Sequence, residues 1–143
     1  MAMKQLNINT AIELKNFNEQ LQIKLRINQV IGIKLCMALQ LLKENLVKVI
    51  DIRFENFSIV LKISGDNYSY SESMNKNVFK GLISIHNLEY ILQYILKFYR
   101  DDIAEVEHID IDFLSSNGKE YTWTIFCNEY IEYTEEEIRR MLG

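Results

Sequence analysis

Ile50-Asp51-Ile52-Arg53-Phe54-Glu55-Asn56-Phe57-Ser58-Ile59-Val60-Leu61-Lys62-Ile63 is the stretch whose reading decides the fold class. Ile50, Ile52 and Phe54 alternate with Asp51 and Arg53, and Phe57, Ile59, Leu61 and Ile63 alternate after them. A period of two is the pattern of strands with one face buried. A two-residue turn at Glu55-Asn56 pairs Phe54 with Phe57 and Ile52 with Ile59, so both apolar sets share a face. The segment is a β-hairpin.

Upstream, Ile31, Leu35, Ala38, Leu39, Leu42 and Leu46 recur at the spacing of one helical face, which predicts a helix from Gln29 to Leu46. Before it, Leu21 to Ile27 alternates strictly and predicts a strand, against the competing reading of one long helix from Thr10. Thr10-Ala11-Ile12-Glu13 fits a capping box opening a short helix to about Asn18.

Downstream, Ser64 to Asn67 is turn chemistry, Tyr68-Ser69-Tyr70 reads as an edge strand, and Ser71 to Lys76 as a loop. Val78 to Ile85 reads as a strand, with Ser84 the N-cap of a helix from His86 to about Arg100. That helix presents Leu88, Leu92, Ile95, Leu96 and Tyr99. A second hairpin follows, in which a three-residue loop at Ser116-Asn117-Gly118 pairs Phe113 with Tyr121, Ile111 with Trp123 and Ile109 with Ile125. A two-residue turn would mix the faces. Tyr130 to Tyr133 reads as a last strand, and Thr134 caps a short terminal helix.

The halves echo each other. Ile31, Leu35, Leu39, Leu42 and Leu46 fall on Leu88, Leu92, Leu96, Tyr99 and Ile103, and Ile50 to Phe54 falls on Ile109 to Phe113. Each half reads strand–helix–hairpin, giving internal repeats over 20–73 and 77–134 within a single domain of residues 1–143. The expected fold is α+β: an antiparallel-rich sheet with the two main helices on one face.

Composition bounds the function classes. The 143 residues are 48% hydrophobic and 25% charged, values of a globular domain with a packed core. Net charge is −4, which argues against general nucleic-acid affinity, because phosphate contacts need clustered Lys and Arg. Cys36 and Cys127 lie in apolar runs and read as buried reduced thiols. No transmembrane stretch and no signal-peptide core is present, so a cytoplasmic protein without membrane attachment is expected. Proline is absent while Ile, Asn, Lys and Tyr are frequent, a bias that suits a low-GC bacterium or its phage.

Chemistry-bearing patterns are few. His108, Asp110 and Asp112 alternate on one strand at about 6.8 Å intervals and could offer an imidazole and two carboxylates to a divalent metal. The paired strand supplies only Thr122, Thr124 and Phe126. His86 beside Asn87 has no nucleophile near it in the sequence. There is no glycine-rich phosphate loop, no nucleophile elbow, no Cys-x-x-Cys pair and no cofactor signature.

Tyr68, Tyr70, Tyr90, Tyr94, Tyr130 and Tyr133 include several that fall off the buried faces, and tyrosine is enriched at interfaces. The first third is locally basic through Lys15, Lys24, Arg26, Lys34, Lys43 and Lys48, and the second half acidic through residues 101–112, an asymmetry that suits head-to-tail association.

The leading expectation is a non-enzymatic protein-binding module, with a homodimer among its assemblies. Size and composition suit a phage or mobile-element inhibitor of the anti-defence (anti-CRISPR) or immunity type. The alternatives are a small metal-dependent phosphodiesterase or nuclease centred on His108, Asp110 and Asp112, and a small-ligand binder with an aromatic-lined pocket between the repeats.

Overall fold

The structure, a computed structural model, describes residues 3–101, 106–127 and 135–142. In chain order the elements are β1 (Met3–Asn7), β2 (Glu13–Phe17), β3 (Gln20–Ile27), α1 (Gln29–Lys43), β4 (Val49–Arg53) and β5 (Ser58–Ile63). They continue with β6 (Tyr70–Asn75), β7 (Val78–Ile83), α2 (Ile85–Asp101), β8 (His108–Phe113), β9 (Glu120–Cys127) and α3 (Glu135–Leu142). The class is α+β, as expected.

The strands form two mixed sheets, where one antiparallel-rich sheet was expected. Their orders are β1-β4-β5-β7-β6 and β2-β3-β9-β8. The hairpins β2–β3, β4–β5, β6–β7 and β8–β9 are antiparallel, but they are joined through the parallel pairs β1–β4, β5–β7 and β3–β9. Alternation along a strand fixes which face is buried and says nothing about which distant strand lies beside it. The helices therefore do not cover one face of one sheet: they pack on each other, α1 also meets β1, β3, β4 and β5, and α2 meets β8 and β9.

Both hairpin registers follow the expected pairing. Ile52 faces Ile59 across β4–β5, and Phe54 N donates to Phe57 O at 2.8 Å, closing the turn at Glu55-Asn56. Phe113, Ile111 and Ile109 face Tyr121, Trp123 and Ile125 across β8–β9. Gly118 sits at φ 79°, the left-handed position that the three-residue loop requires.

Two local expectations fail. Residues 10–18 hold no helix; Glu13–Phe17 is strand β2, turning through Asn18 (φ 50°) into β3. The capping-box motif is outcompeted because Asn56 takes the backbone of Ile12 in two hydrogen bonds of 2.8 Å, holding the chain extended. Ser71 to Lys76 is not a loop either, since Tyr70–Asn75 is edge strand β6 on β7, with an irregularity between Ser71 and Ser73. An edge strand needs little apolar patterning, so its polar sequence misleads.

α1 stops at Lys43 rather than Leu46. Asn45 adopts φ 58°, its N–H donates to Leu42 O at 3.1 Å, and Leu46 N–H donates to Leu41 O at 3.0 Å. That is a Schellman ending, which characteristically brings the residue after the left-handed position onto the helix's last turn. Here that residue is Leu46, set beside Leu41. At the other end Asn28 Oδ1 caps Ile31 N at 2.8 Å, and on α2 Ser84 Oγ caps Asn87 N at 3.1 Å.

The two units have one connectivity. Each runs hairpin, helix, hairpin: β2–β3, α1, β4–β5 and then β6–β7, α2, β8–β9. Each sheet combines the later hairpin of one unit with the earlier hairpin of the other, through β5–β7 in one sheet and β9–β3 in the other. The caps Asn28 and Ser84 align the helices, placing Val30 to Leu42 on His86 to Phe98. Every position in that span has the burial of its counterpart, including Leu35 with Ile91, Leu39 with Ile95 and Leu42 with Phe98. The sequence alignment of the helices is thus one residue out of step, because matching leucine to leucine ignores the caps. The expected last strand at 130–133 lies outside the described residues; α3 is a helix where one was expected.

Candidate functional site

β8 turns Ile109, Ile111 and Phe113 into the core and leaves His108, Asp110 and Asp112 outward. Thr124 Oγ1 donates to Asp110 Oδ1 at 2.6 Å, and Thr122 Oγ1 to Asp112 Oδ1 at 2.7 Å. Gln22 Nε2 donates to Thr124 Oγ1 at 3.0 Å, and His108 Nε2 lies 3.7 Å from Asp110 Oδ2. The three side chains do not converge. Among the described residues no three His, Cys, Asp or Glu side chains are grouped to hold a metal ion. Strand rise separates them, and each carboxylate is occupied by a different β9 hydroxyl.

The next row across this sheet is aromatic and cationic. Arg26 Cζ stands 4.4 Å and Lys24 Nζ 5.8 Å from the centre of the Phe126 ring, with the His108 ring 5.1 Å away on the other side. The ring face attracts each cation. The neighbouring Lys15 amine, ahead of desolvation, holds Lys24 below its ordinary pKa. A groove of about 520 Å³ lies beside them, lined by Gln22, Asp112, Lys119, Glu120 and Thr122 among others. Both units contribute to it, Gln20 and Gln22 from the first and Phe113, Tyr121 and their neighbours from the second, so it lies between the units with a lining of mixed polar and apolar groups.

The tyrosines divide. Tyr68 and Tyr90 are exposed. Tyr70 is half-buried and donates to Asp66 Oδ2 at 2.6 Å, which lowers the Asp66 pKa. Tyr94 is 7% exposed and is a core group, correcting its expected place at a surface. Its hydroxyl donates to the carbonyls of Val106 and Glu107 and accepts from Cys127 N, binding α2 to both ends of the second hairpin. Burial pushes its pKa up to about 12. Tyr130 and Tyr133 lie outside the described residues. Cys36 and Cys127 are buried free thiols, and burial raises each pKa to about 12, which suppresses nucleophilic thiolate.

The helix layer carries the apolar surface. Val30 and Met37 on α1 are 62% and 65% exposed, with Ile33 and Leu41 half-buried between and beyond them. Positions 30, 33, 37 and 41 make one stripe along the outer side of α1. Beside it, Ile33, Met37, Leu41, Leu46, Leu92 and Leu96 line a groove of about 360 Å³ between α1 and α2. The structurally equivalent stripe on α2 is His86, Glu89, Gln93 and Lys97. Along this stripe α2 carries polar groups and α1 apolar ones, while at the flanking positions the order is reversed, Tyr90 and Leu96 of α2 being exposed where α1 has Lys34 and Gln40. A sequence signal for this existed: within α1 only Gln29, Lys34, Gln40 and Lys43 are polar, so the helix is apolar nearly all round, a pattern that calls for cover on both sides.

Comparison with known proteins adds little. No protein-family model matches the chain, and no curated protein sequence matches it. Among solved structures, Drosophila Suppressor of Fused aligns with a TM-score of 0.40 and 9% identity, over 85% of this chain and 28% of that one. No helix among the described residues is long and apolar enough to cross a membrane.

Proposed function

We propose that the chain is a non-catalytic protein-binding module whose docking face is the outer stripe of α1 together with the groove between α1 and α2. The observation carrying this reading is the contrast between Val30, Ile33, Met37, Leu41 and their counterparts His86, Glu89, Gln93, Lys97. Burial is the same at each of these four pairs, so along this stripe α2 shows that the fold accepts polar groups where α1 has apolar ones. Leaving apolar surface in water forgoes about 25 cal/mol per Å² that a partner would recover. The groove has the apolar floor and polar rim of a helix-binding surface, with Gln40 and Glu44 at its edges.

The finer reading is an inhibitor carried by a phage or mobile element, acting by occupying its target. Size and composition support it. Affinity capture with tagged protein tests both levels. A protein retained by the parent chain and by Gln93→Glu, but released by Met37→Glu, supports the docking face and names the target. Retention that is indifferent to Met37→Glu contradicts it.

A further inference from the structure

Resting on that docking face, we infer that its occupant is a second copy of this chain, bound through antiparallel α1 helices related by a two-fold axis at Met37. In a two-fold interface residue i meets residue j and j meets i, so a self-binding stripe must be complementary to its own reverse. The α1 stripe meets that condition. Centred on Met37, Ile33 of one copy comes level with Leu41 of the other, and Val30 comes level with the helix end at Glu44, beside Leu46. Apolar residues meet apolar ones across the central turns of the contact.

The charges agree with the same arrangement. Lys34 and Glu44 are both exposed and stand towards opposite ends of α1. Antiparallel pairing about Met37 sets Lys34 level with Gln40 of the other copy, and Glu44 one turn, about 6 Å, further along. Glu44, near the centre line of the stripe, accepts from Gln40 Nε2 at 2.9 Å and lies within reach of the long lysine side chain. Parallel packing would instead stack Lys34 near Lys34 and Glu44 near Glu44, which is repulsive. The thioether of Met37 is unbranched and adaptable, suited to entering the groove whose far wall is Leu92 and Leu96.

α2 cannot substitute. The same operation about Gln93 brings Glu89 level with Lys97 with no apolar residue in the stripe, so a contact there would bury polar groups along its centre line.

Sedimentation equilibrium or light scattering across a concentration series tests this, on the full chain. The parent protein is expected to be dimeric. Met37→Glu is expected to weaken dimerisation at least about thirtyfold, the fold-change carried by a central interface residue, while Gln93→Glu leaves it unchanged. Lys34→Glu and Glu44→Lys are each expected to weaken it, and the double variant to restore it, since each copy then carries both reversals; misfolding would not be rescued this way. A parent chain that stays monomeric at all concentrations overturns the second-copy inference, as does a dimer that survives Met37→Glu or double charge reversal that fails to restore. If the chain is monomeric and a different protein is captured in a Met37-dependent way, the docking face stands and only this occupant falls.

Discussion

Met37 on α1 and Gln93 on α2 hold the same place in two units of one architecture, equally open to solvent, one a thioether and the other an amide. The buried positions are apolar on both helices, apart from Gly32 opposite Leu88 and the hydroxyl of Tyr94 opposite Ala38. The two helices diverge where they meet water.

If the apolar stripe serves binding and not folding, replacing it costs little stability. The double variant Val30→His, Met37→Gln copies the two exposed residues of the α2 stripe onto α1. Its unfolding free energy is expected to stay within about 1 kcal/mol of the parent, since exposed sites away from caps and cavities rarely matter more. Urea denaturation at a concentration where the parent is monomeric checks this; a loss several times larger would mean the stripe belongs to the core.

Gly81 is expected to tolerate no side chain. A Cβ there would lie 2.8 Å from Phe79 Cε1 and 3.0 Å from Phe113 Cε1, ring atoms that belong to the two sheets' inner faces. Gly81→Ala should destabilise by about 1–3 kcal/mol through overpacking. Chemical denaturation measures it, and an unchanged midpoint would show that the rings yield.

Much of this framework was legible in the sequence because local patterns determine it. The alternation in residues 50–63 and 109–125 fixed both hairpins, their faces and their turn lengths, and Ser84 was readable as a cap. What stayed hidden was long-range or competitive. Pairing of β5 with β7 and of β3 with β9 leaves no trace in either strand's pattern, and the grip of Asn56 on Ile12 defeats a capping box 44 residues away. The docking face was hidden for another reason: Leu39 and Met37 are both apolar letters, and only the fold tells the covered one from the bare one.

Tyr94 joins α2 to Val106, Glu107 and Cys127 through one hydroxyl. Tyr94→Phe should cost about 1–3 kcal/mol, because the Cys127 N–H and two carbonyls lose a buried partner. Thermal melts of the two proteins decide this, and equal stability would place water at that position.

Alkaline pH is expected to weaken the fold. Burial raises the pKa values of Cys36 and Cys127 from 9.0 to about 12, and that of Tyr94 from 10.0 to about 12. Raised values mean the folded state holds these protons more tightly, so their contribution is full below about pH 9 and is lost as pH climbs towards 12. Urea midpoints at pH 8, 10 and 11 should fall in order. In step with this, neither thiol should react with a disulfide reagent at pH 8 until the protein is unfolded; prompt reaction would contradict their burial.

The metal-dependent alternative has its own check. Millimolar magnesium or manganese is expected to leave the melting temperature unchanged, because Asp110 and Asp112 are held by separate hydroxyls. A stabilising shift that Asp110→Ala abolishes would restore the hydrolase reading.

The central claim is that the α1 stripe is covered by protein in use, and photo-cross-linking tests it most directly. A photoreactive amino acid is placed at position 37 in one protein and at position 93 in another, and each is irradiated at micromolar concentration. Cross-linking from position 37 into a species of twice the chain's mass, with none from position 93, is the expected result. Equal yields from both positions, or none from position 37 even in the presence of cell lysate, would contradict it.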